Sequence, residues 1–153
     1  MTPSMAYLSQ QLASLSPARR VAMLYDKAIA SLREAIQAIE AGDIQRRWNA
    51  NNLAGQIIET LWATLDLERG GEIAANLDRL YSFMLRHLAD VDMKNDPKPA
   101  QDVIELLEPL RQSWHELAKR SDAEAHAARP AMNLGPAPAA GTGQPVTKIT
   151  VSA

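Results

Sequence analysis

Three histidines, His87, His115 and His126, are the side chains of this sequence best suited to proton transfer or metal binding near neutral pH. A di-iron centre in a helical scaffold needs Glu-x-x-His on facing helices, so that two ligands share one face a turn apart. Met84, Gln112 and Ala123 stand three places before the histidines, so that motif is absent. A phosphotransfer histidine sits exposed on a helix, usually with a lysine and a glycine just after it. "RHLADV" around His87 has neither. A solvated helix-face histidine is the simpler reading of His87, with a phosphotransfer or regulatory adaptor as the alternative function. His115, between Trp114 and Glu116, reads as an isolated histidine on a polar helix edge. "LDLE" sets Asp66 and Glu68 two apart, on different faces of a helix, which suits them poorly as an acid/base pair. No nucleophile elbow or Ser–His–Asp order appears. The expectation is a binding protein, not an enzyme, with no metal and no cofactor.

Composition points the same way. Sixteen Lys and Arg nearly balance eighteen Asp and Glu, so nothing global favours nucleic acid or an anionic membrane as partner. The absence of cysteine removes disulfides, thiolate catalysis and zinc–thiolate sites, and suits a reducing cytosol. The opening "MTPSMAYLSQQLASL" has no Lys or Arg before Arg19 and no continuous apolar run, unlike a secretory signal, and no later stretch approaches a membrane span.

Glycine and proline then punctuate helices. Ser16 and Pro17 suit the cap and first position of a helix carrying Val21, Leu24, Tyr25, Ala28, Leu32, Ala35, Ile36 and Ile39 at helical spacing. Gly42 can end it in the left-handed conformation, and Asp43 can cap the next. The second helix is expected from about Ile44 to Glu68, although "RRWNANNLAG" is weakly helical, with three Asn and Gly55 against propensity. The third runs from about Glu72 to Asp92. Asp96 and Pro97 then open a fourth through Val103, Leu106, Leu107, Leu110, Trp114 and Leu117, which Pro109 should kink.

The pair Gly70 and Gly71 in "LDLERGGEIAANL" could suggest a phosphate loop, but such a loop follows a strand, and here both flanks are helical. The two glycines read as a turn, with Gly70 as the left-handed cap of the second helix and Gly71 letting the chain reverse. From Ser121 onward, four Pro, three Gly and no aromatic residue predict a disordered Ala/Pro-rich tail that includes His126. The fold class is therefore all-α: an antiparallel up-down four-helix bundle over residues 16–120, with an N-terminal segment 1–15 and a tail 121–153.

One core stripe per helix does not use all the apolar residues. Ile29, Leu53, Ile57, Leu67 and the leucines of "MAYLSQQLASL" are in surplus. A wide buried face accounts for them most simply. The alternative is a groove for an amphipathic partner helix, covered by Tyr7, Leu8, Leu12 and Leu15 when empty. Asn49, Asn51 and Asn52 read as solvated surface or as side chains offered to a partner backbone.

Several blocks together resemble a known family. "SLSPARRVAMLYDKAIASL", "AIEAGDI", "LDLERGGEIAANLDRLYSFMLRHL" and "DMKNDPKPAQDVIELLEPLRQSWHELA" follow, in order over about residues 14–118, the blocks of the flagellar secretion chaperone FliS family. The most specific pieces are "MLYD" (Met23–Asp26), "GD" (Gly42–Asp43), "LDLERGGEIAANL" and the Leu80–Tyr81 pair, and Trp114 fits as well. The resemblance implies a cytosolic, all-helical export chaperone of the flagellar type III system. It would bind the disordered C-terminal segment of flagellin, prevent premature polymerisation and deliver the client to the export gate. It further implies that the N-terminal segment is a mobile cover of the client groove that contributes to gate docking, with Tyr7 and Leu8 as candidates. Leu12, Ile57, Leu61, Leu65, Leu77, Tyr81 and Trp114 complete the candidate partner-binding set. A homodimer joined through the N-terminal segment is an open alternative.

Overall fold

The computed structural model describes residues 2–134, with side chains to residue 128. Five helices follow one another: α1 (Pro3–Leu12), α2 (Pro17–Glu40), α3 (Ile44–Ala63), α4 (Gly71–Lys94) and α5 (Lys98–Leu134). The chain forms two compact units, Met1–Ala118 and Lys119–Ala153. The first holds the bundle. Of the second, residues 119–134 are described, and they are helical.

Helix ends follow local chemistry. Ser16 Oγ accepts from the Arg19 N–H at 3.2 Å, with Pro17 in the first turn, so α2 begins as expected. Gly42 adopts a φ of 71° after α2, and Asp43 Oδ1 caps α3 by accepting from the Arg46 N–H at 3.1 Å. The second expected helix stops earlier than its apolar pattern suggests. Thr64 turns its hydroxyl back to the Leu61 carbonyl at 2.7 Å and ends α3. Asp66 Oδ1 then accepts from the Glu68 and Arg69 N–H groups and folds the connection into a turn.

The glycine roles within that turn differ from expectation. Gly70 has a φ of −77° and is the N-cap of α4, while Gly71 is the left-handed residue at 55°. Gly70 is needed for space instead: a Cβ there would lie 2.5 Å from Ala74 Cβ and 2.8 Å from the Asp66 carbonyl oxygen. Asn95, at φ 51°, ends α4 in the left-handed region that asparagine tolerates. Asp96 Oδ1 accepts from the Lys98 N–H at 2.9 Å, and α5 begins at Lys98, one residue after Pro97.

One further expectation is corrected in α5, the point where the fourth helix ends. The helix runs through Pro109 without interruption. Proline removes one donor to the Glu105 carbonyl, and the exposed positions of Glu105 and Pro109 leave that carbonyl to solvent. The helix also continues past Ser121 to Leu134, because "SDAEAHAAR" is rich in strong helix formers even though it lacks apolar residues to bury. His126 is thus an exposed helical residue. The remainder of the expected tail, residues 135–153, lies outside the described residues.

Cross-links fix the bundle order. α2 packs most extensively on α3, and α3 on α4. Arg47 to Asp92, Asn51 to Leu88 and Trp62 to Asp78 pair α3 and α4 with rising against falling numbers, hence antiparallel. Arg19 to His115 and Arg33 to Glu108 do the same for α2 and α5, and His87 to Asp102 joins α4 to α5. The ring α2–α3–α4–α5 closes around one apolar cluster that includes Tyr25, Ile29, Leu32, Ile57, Ile58, Leu61, Tyr81, Met84, Val103 and Leu107. The architecture is the expected up-down bundle, with one additional helix.

Candidate functional site

That additional helix, α1, defines the candidate site. Thr2 Oγ1 accepts from the Met5 N–H at 3.2 Å and Pro3 occupies the first turn, so a short, mostly polar segment starts helically. Met5, Leu8 and Leu12 recur at steps of three and four, and all three are buried in the same cluster as Ile57, Ile58 and Leu61. Between them Tyr7 faces out, 65 % exposed. The helix lies on α3. Its side-chain hydrogen bond to the bundle is Thr2 Oγ1 donating to Gln56 Oε1 at 3.3 Å. After α1, Arg20 holds the Leu15 carbonyl at 2.8 Å, where the chain turns into α2.

The sequence-derived candidates divide into three groups. Leu8, Leu12, Ile57, Leu61 and Tyr81 lie in the buried cluster. Leu65, Leu77 and Trp114 are partly buried and pack against it. Tyr7 stands on the outer face of α1. What the sequence could not separate, core from groove, is here one continuous apolar body whose α3 side is covered by α1.

Beneath this face, the Tyr25 and Tyr81 hydroxyls bond to each other across the bundle. Burial, then the neighbouring Tyr81, raises the Tyr25 phenol well above its usual range. Burial likewise raises Tyr81. Both hydroxyls stay neutral and serve structure.

His87 and His115 are held by neighbouring helices as well. His87 Nε2 lies 2.9 Å from Asp102 Oδ2, and its ring stacks on Phe83 with centroids 5.0 Å apart. Lys98 first, and His87 second, hold the Asp102 carboxyl below the usual range. His115 is not isolated. Its Nε2 contacts both Asp26 carboxylate oxygens, at 2.8 and 3.0 Å, and its Nδ1 lies 3.3 Å from the Arg19 guanidinium. The Nε2–H tautomer satisfies both, donating to Asp26 and accepting from Arg19. Arg111 adds a third partner to this α2–α5 seam, donating to Asp26 at 3.2 Å. Sequence spacing cannot reveal such a link, since its partners are separated by 89 positions.

The asparagine-rich start of α3 also differs from expectation. Asn51 is buried, not solvated. Arg47 is buried with it, donating to Asp92 at 2.9 Å and to Asn95 at 2.6 Å. The polar residues that weaken this helix locally are its link to α4. Among the described residues no cluster of His, Asp or Glu could hold a metal ion, and no helix is long and apolar enough to cross a membrane.

Comparison with known proteins shows the family of the chain. Residues 1–121 match the family described as "Flagellar protein FliS". The chain is 36 % identical over 110 residues to a flagellar secretion chaperone FliS of Vibrio cholerae, covering 72 % of this chain and 81 % of the relative. A flagellar secretion chaperone FliS of Salmonella typhimurium is 36 % identical over 71 % of this chain and 81 % of its own. The Bacillus subtilis protein of the same name is 30 % identical over 81 % and 92 %. The family match over residues 1–121, with relatives named as secretion chaperones, places the chain in a chaperone family, not an enzyme family: it belongs to the FliS family of flagellar proteins.

Proposed function

We propose that the chain is a cytosolic flagellar export chaperone whose client is flagellin. The observation that carries this reading is α1 itself, a short amphipathic helix seated on the apolar side of α3 with one side-chain hydrogen bond to hold it. A helix that covers apolar surface through three side chains is readily exchanged for a longer amphipathic segment. The client is flagellin's C-terminal region, which is disordered before assembly and orders along the bundle when captured. Ordering costs conformational entropy, and the apolar area of a wide face offsets that cost. Capture hides the segment that flagellin uses to pack in the filament, and so prevents polymerisation in the cytosol. The loaded chaperone then passes its client to a component of the export gate.

No nucleotide or metal enters this scheme, because affinity alone does the work. Nothing around His87 favours the phosphotransfer alternative, since its Nε2 is engaged by Asp102 and its ring by Phe83.

Size-exclusion chromatography with flagellin, full-length and C-terminally truncated, tests the reading. A one-to-one complex with the full-length protein only is expected. Absence of a complex with either form would refute flagellin as the client.

A further inference from the structure

The first turn of α1 and the middle of α2 leave hydrogen-bond donors unused on one groove. A helix start exposes its first N–H groups, which need partners from outside the helix. In α1, Pro3 has no N–H and the Met5 N–H goes to Thr2 Oγ1. The Ser4 N–H has no acceptor among the described residues.

From α2 the same groove is lined by Ser31, which is only 5 % exposed. A serine inside a helix often turns its hydroxyl back to the carbonyl four residues earlier. Ser31 does not, and its hydroxyl has no partner among the described residues. Nor is that hydroxyl sealed off. The one shielded side-chain atom without a partner among the described residues is Asn51 Oδ1, so Ser31 keeps its access to the groove it lines. Lys27 stands one turn before Ser31 on the same face of α2, exposed and in no ion pair among the described residues.

The groove holds about 850 Å³. Its acids are already committed: Glu34 takes the Arg46 guanidinium, and Asp43 Oδ1 caps α3. What is left over is an ammonium, a hydroxyl and a helix-start N–H, a set that suits an anion. Three donors from two helices match an anion with three acceptor oxygens, as phosphate has and a carboxylate has not. The groove is much larger than a bare phosphate. On its α3 side stands Trp48, 49 % exposed, a flat apolar surface beside the charged end.

We propose that this groove binds a phosphomonoester with a flat organic body. Lys27, the Ser31 hydroxyl and the Ser4 N–H hold the phosphate at the start of α1, and the body lies against the Trp48 ring. The site is complete only while α1 is seated, so its ligand holds α1 on the bundle. The inference is independent of the export-chaperone reading, since neither client nor gate enters it.

Nuclear magnetic resonance titration of the full chain tests it, with adenosine monophosphate and inorganic phosphate as separate probes against chloride at equal ionic strength. Both probes should shift the Ser4 amide, and only the nucleotide should shift the Trp48 indole N–H. Amide exchange in residues 4–12 should slow as the nucleotide binds. Lys27→Met and Ser31→Ala should each weaken nucleotide binding about tenfold, the loss of one charge-assisted or buried hydrogen bond. Lys27 is exposed and alanine is a good helix former, so both variants should melt as the parent does. Trp48→Ala should weaken the nucleotide and leave inorganic phosphate unchanged. Equal affinity for the two probes would overturn the organic body. No Ser4 shift with either probe, or undiminished binding in Lys27→Met and Ser31→Ala, would overturn the site.

Discussion

The Tyr25 and Tyr81 hydroxyls meet across the diagonal of the bundle and tie α2 to α4, two helices that are not neighbours in the ring. This polar chain joins two of the four bundle helices through the apolar interior, and it fixes how they are rotated about their axes.

Removing one member of this chain should cost more than removing both phenols. Tyr25→Phe leaves the buried Tyr81 hydroxyl without its partner and should cost about 1–3 kcal/mol. Tyr81→Phe should cost a similar amount, since it leaves the Tyr25 hydroxyl unpaired in its turn. The double variant should fall below the sum of the two. Urea unfolding of the four proteins in a double-mutant cycle reads the coupling.

The same pair predicts alkaline sensitivity. Both phenols are raised above the ordinary tyrosine value of 10.0 in the folded chain. Their contribution is therefore complete below pH 10 and is lost as pH rises beyond it, by about 1.4 kcal/mol per pH unit for each tyrosine that keeps its proton when folded. Tyr25→Phe with Tyr81→Phe should flatten the stability profile above pH 10. An equally steep profile in that variant would assign the loss to other groups.

Asp92 should matter for stability more than its partial exposure suggests. Asp92→Ala leaves the buried Arg47 guanidinium without its carboxylate and takes one of two acceptors from Asn51. A loss of about 2–4 kcal/mol in chemical denaturation is expected. Arg47→Met, which removes the charge as well as the bond, should cost less than Asp92→Ala.

The two turn glycines should respond differently to the same substitution. Gly70→Ala forces a Cβ against Ala74 and the Asp66 carbonyl and should cost about 1–3 kcal/mol. Gly71 has open space around its Cβ direction and only its positive φ to satisfy. Gly71→Asn should cost well under about 1 kcal/mol, because asparagine tolerates that region. Thermal melts of the two variants distinguish steric from conformational demand.

Loosening α1 should help the client. Leu8→Ala removes the central apolar side chain of the helix and should lower stability by about 1–2 kcal/mol, less than a deep core truncation, because α1 can open on its own. The fraction of chains with the α3 face uncovered rises, so flagellin affinity should rise with it. Hydrogen exchange in residues 3–12 and titration with flagellin check the two halves. Faster exchange without tighter binding would mean that α1 does not cover the client's site.

Much of this molecule was legible in its sequence, because the signals concerned are local. Ser16, Pro17, Gly42 and Asp43 set the first helix boundary through bonds within a few residues, and those caps form as read. The apolar period of each helix needs only neighbours three and four apart, so the all-helical bundle and most of its core followed from it. Glycine 70 and 71 were legible as a turn but not in their separate roles. Which of them turns left-handed depends on Thr64 ending α3 early and on Asp66 folding the connection. The continuation of α5 past Ser121 is not legible from apolar pattern, because a stretch with little to bury reads as disorder, although alanine and glutamate favour helix without burial.

The site is where sequence alone ran out. Periodicity marks Leu8, Ile57, Leu61 and Tyr81 as apolar, but it cannot say which apolar surface meets which. That choice belongs to the packing of helices distant along the chain. The same holds for polar residues. Asn51 and Arg47 look like solvated helix surface in one dimension, and His115 looks isolated. Only the tertiary structure brings Asp92, Asn95 and Asp26 to them, because a hydrogen bond across a seam depends on helix register and rotation. Local pattern decides that helices form; their mutual packing decides what each buried polar group can bond.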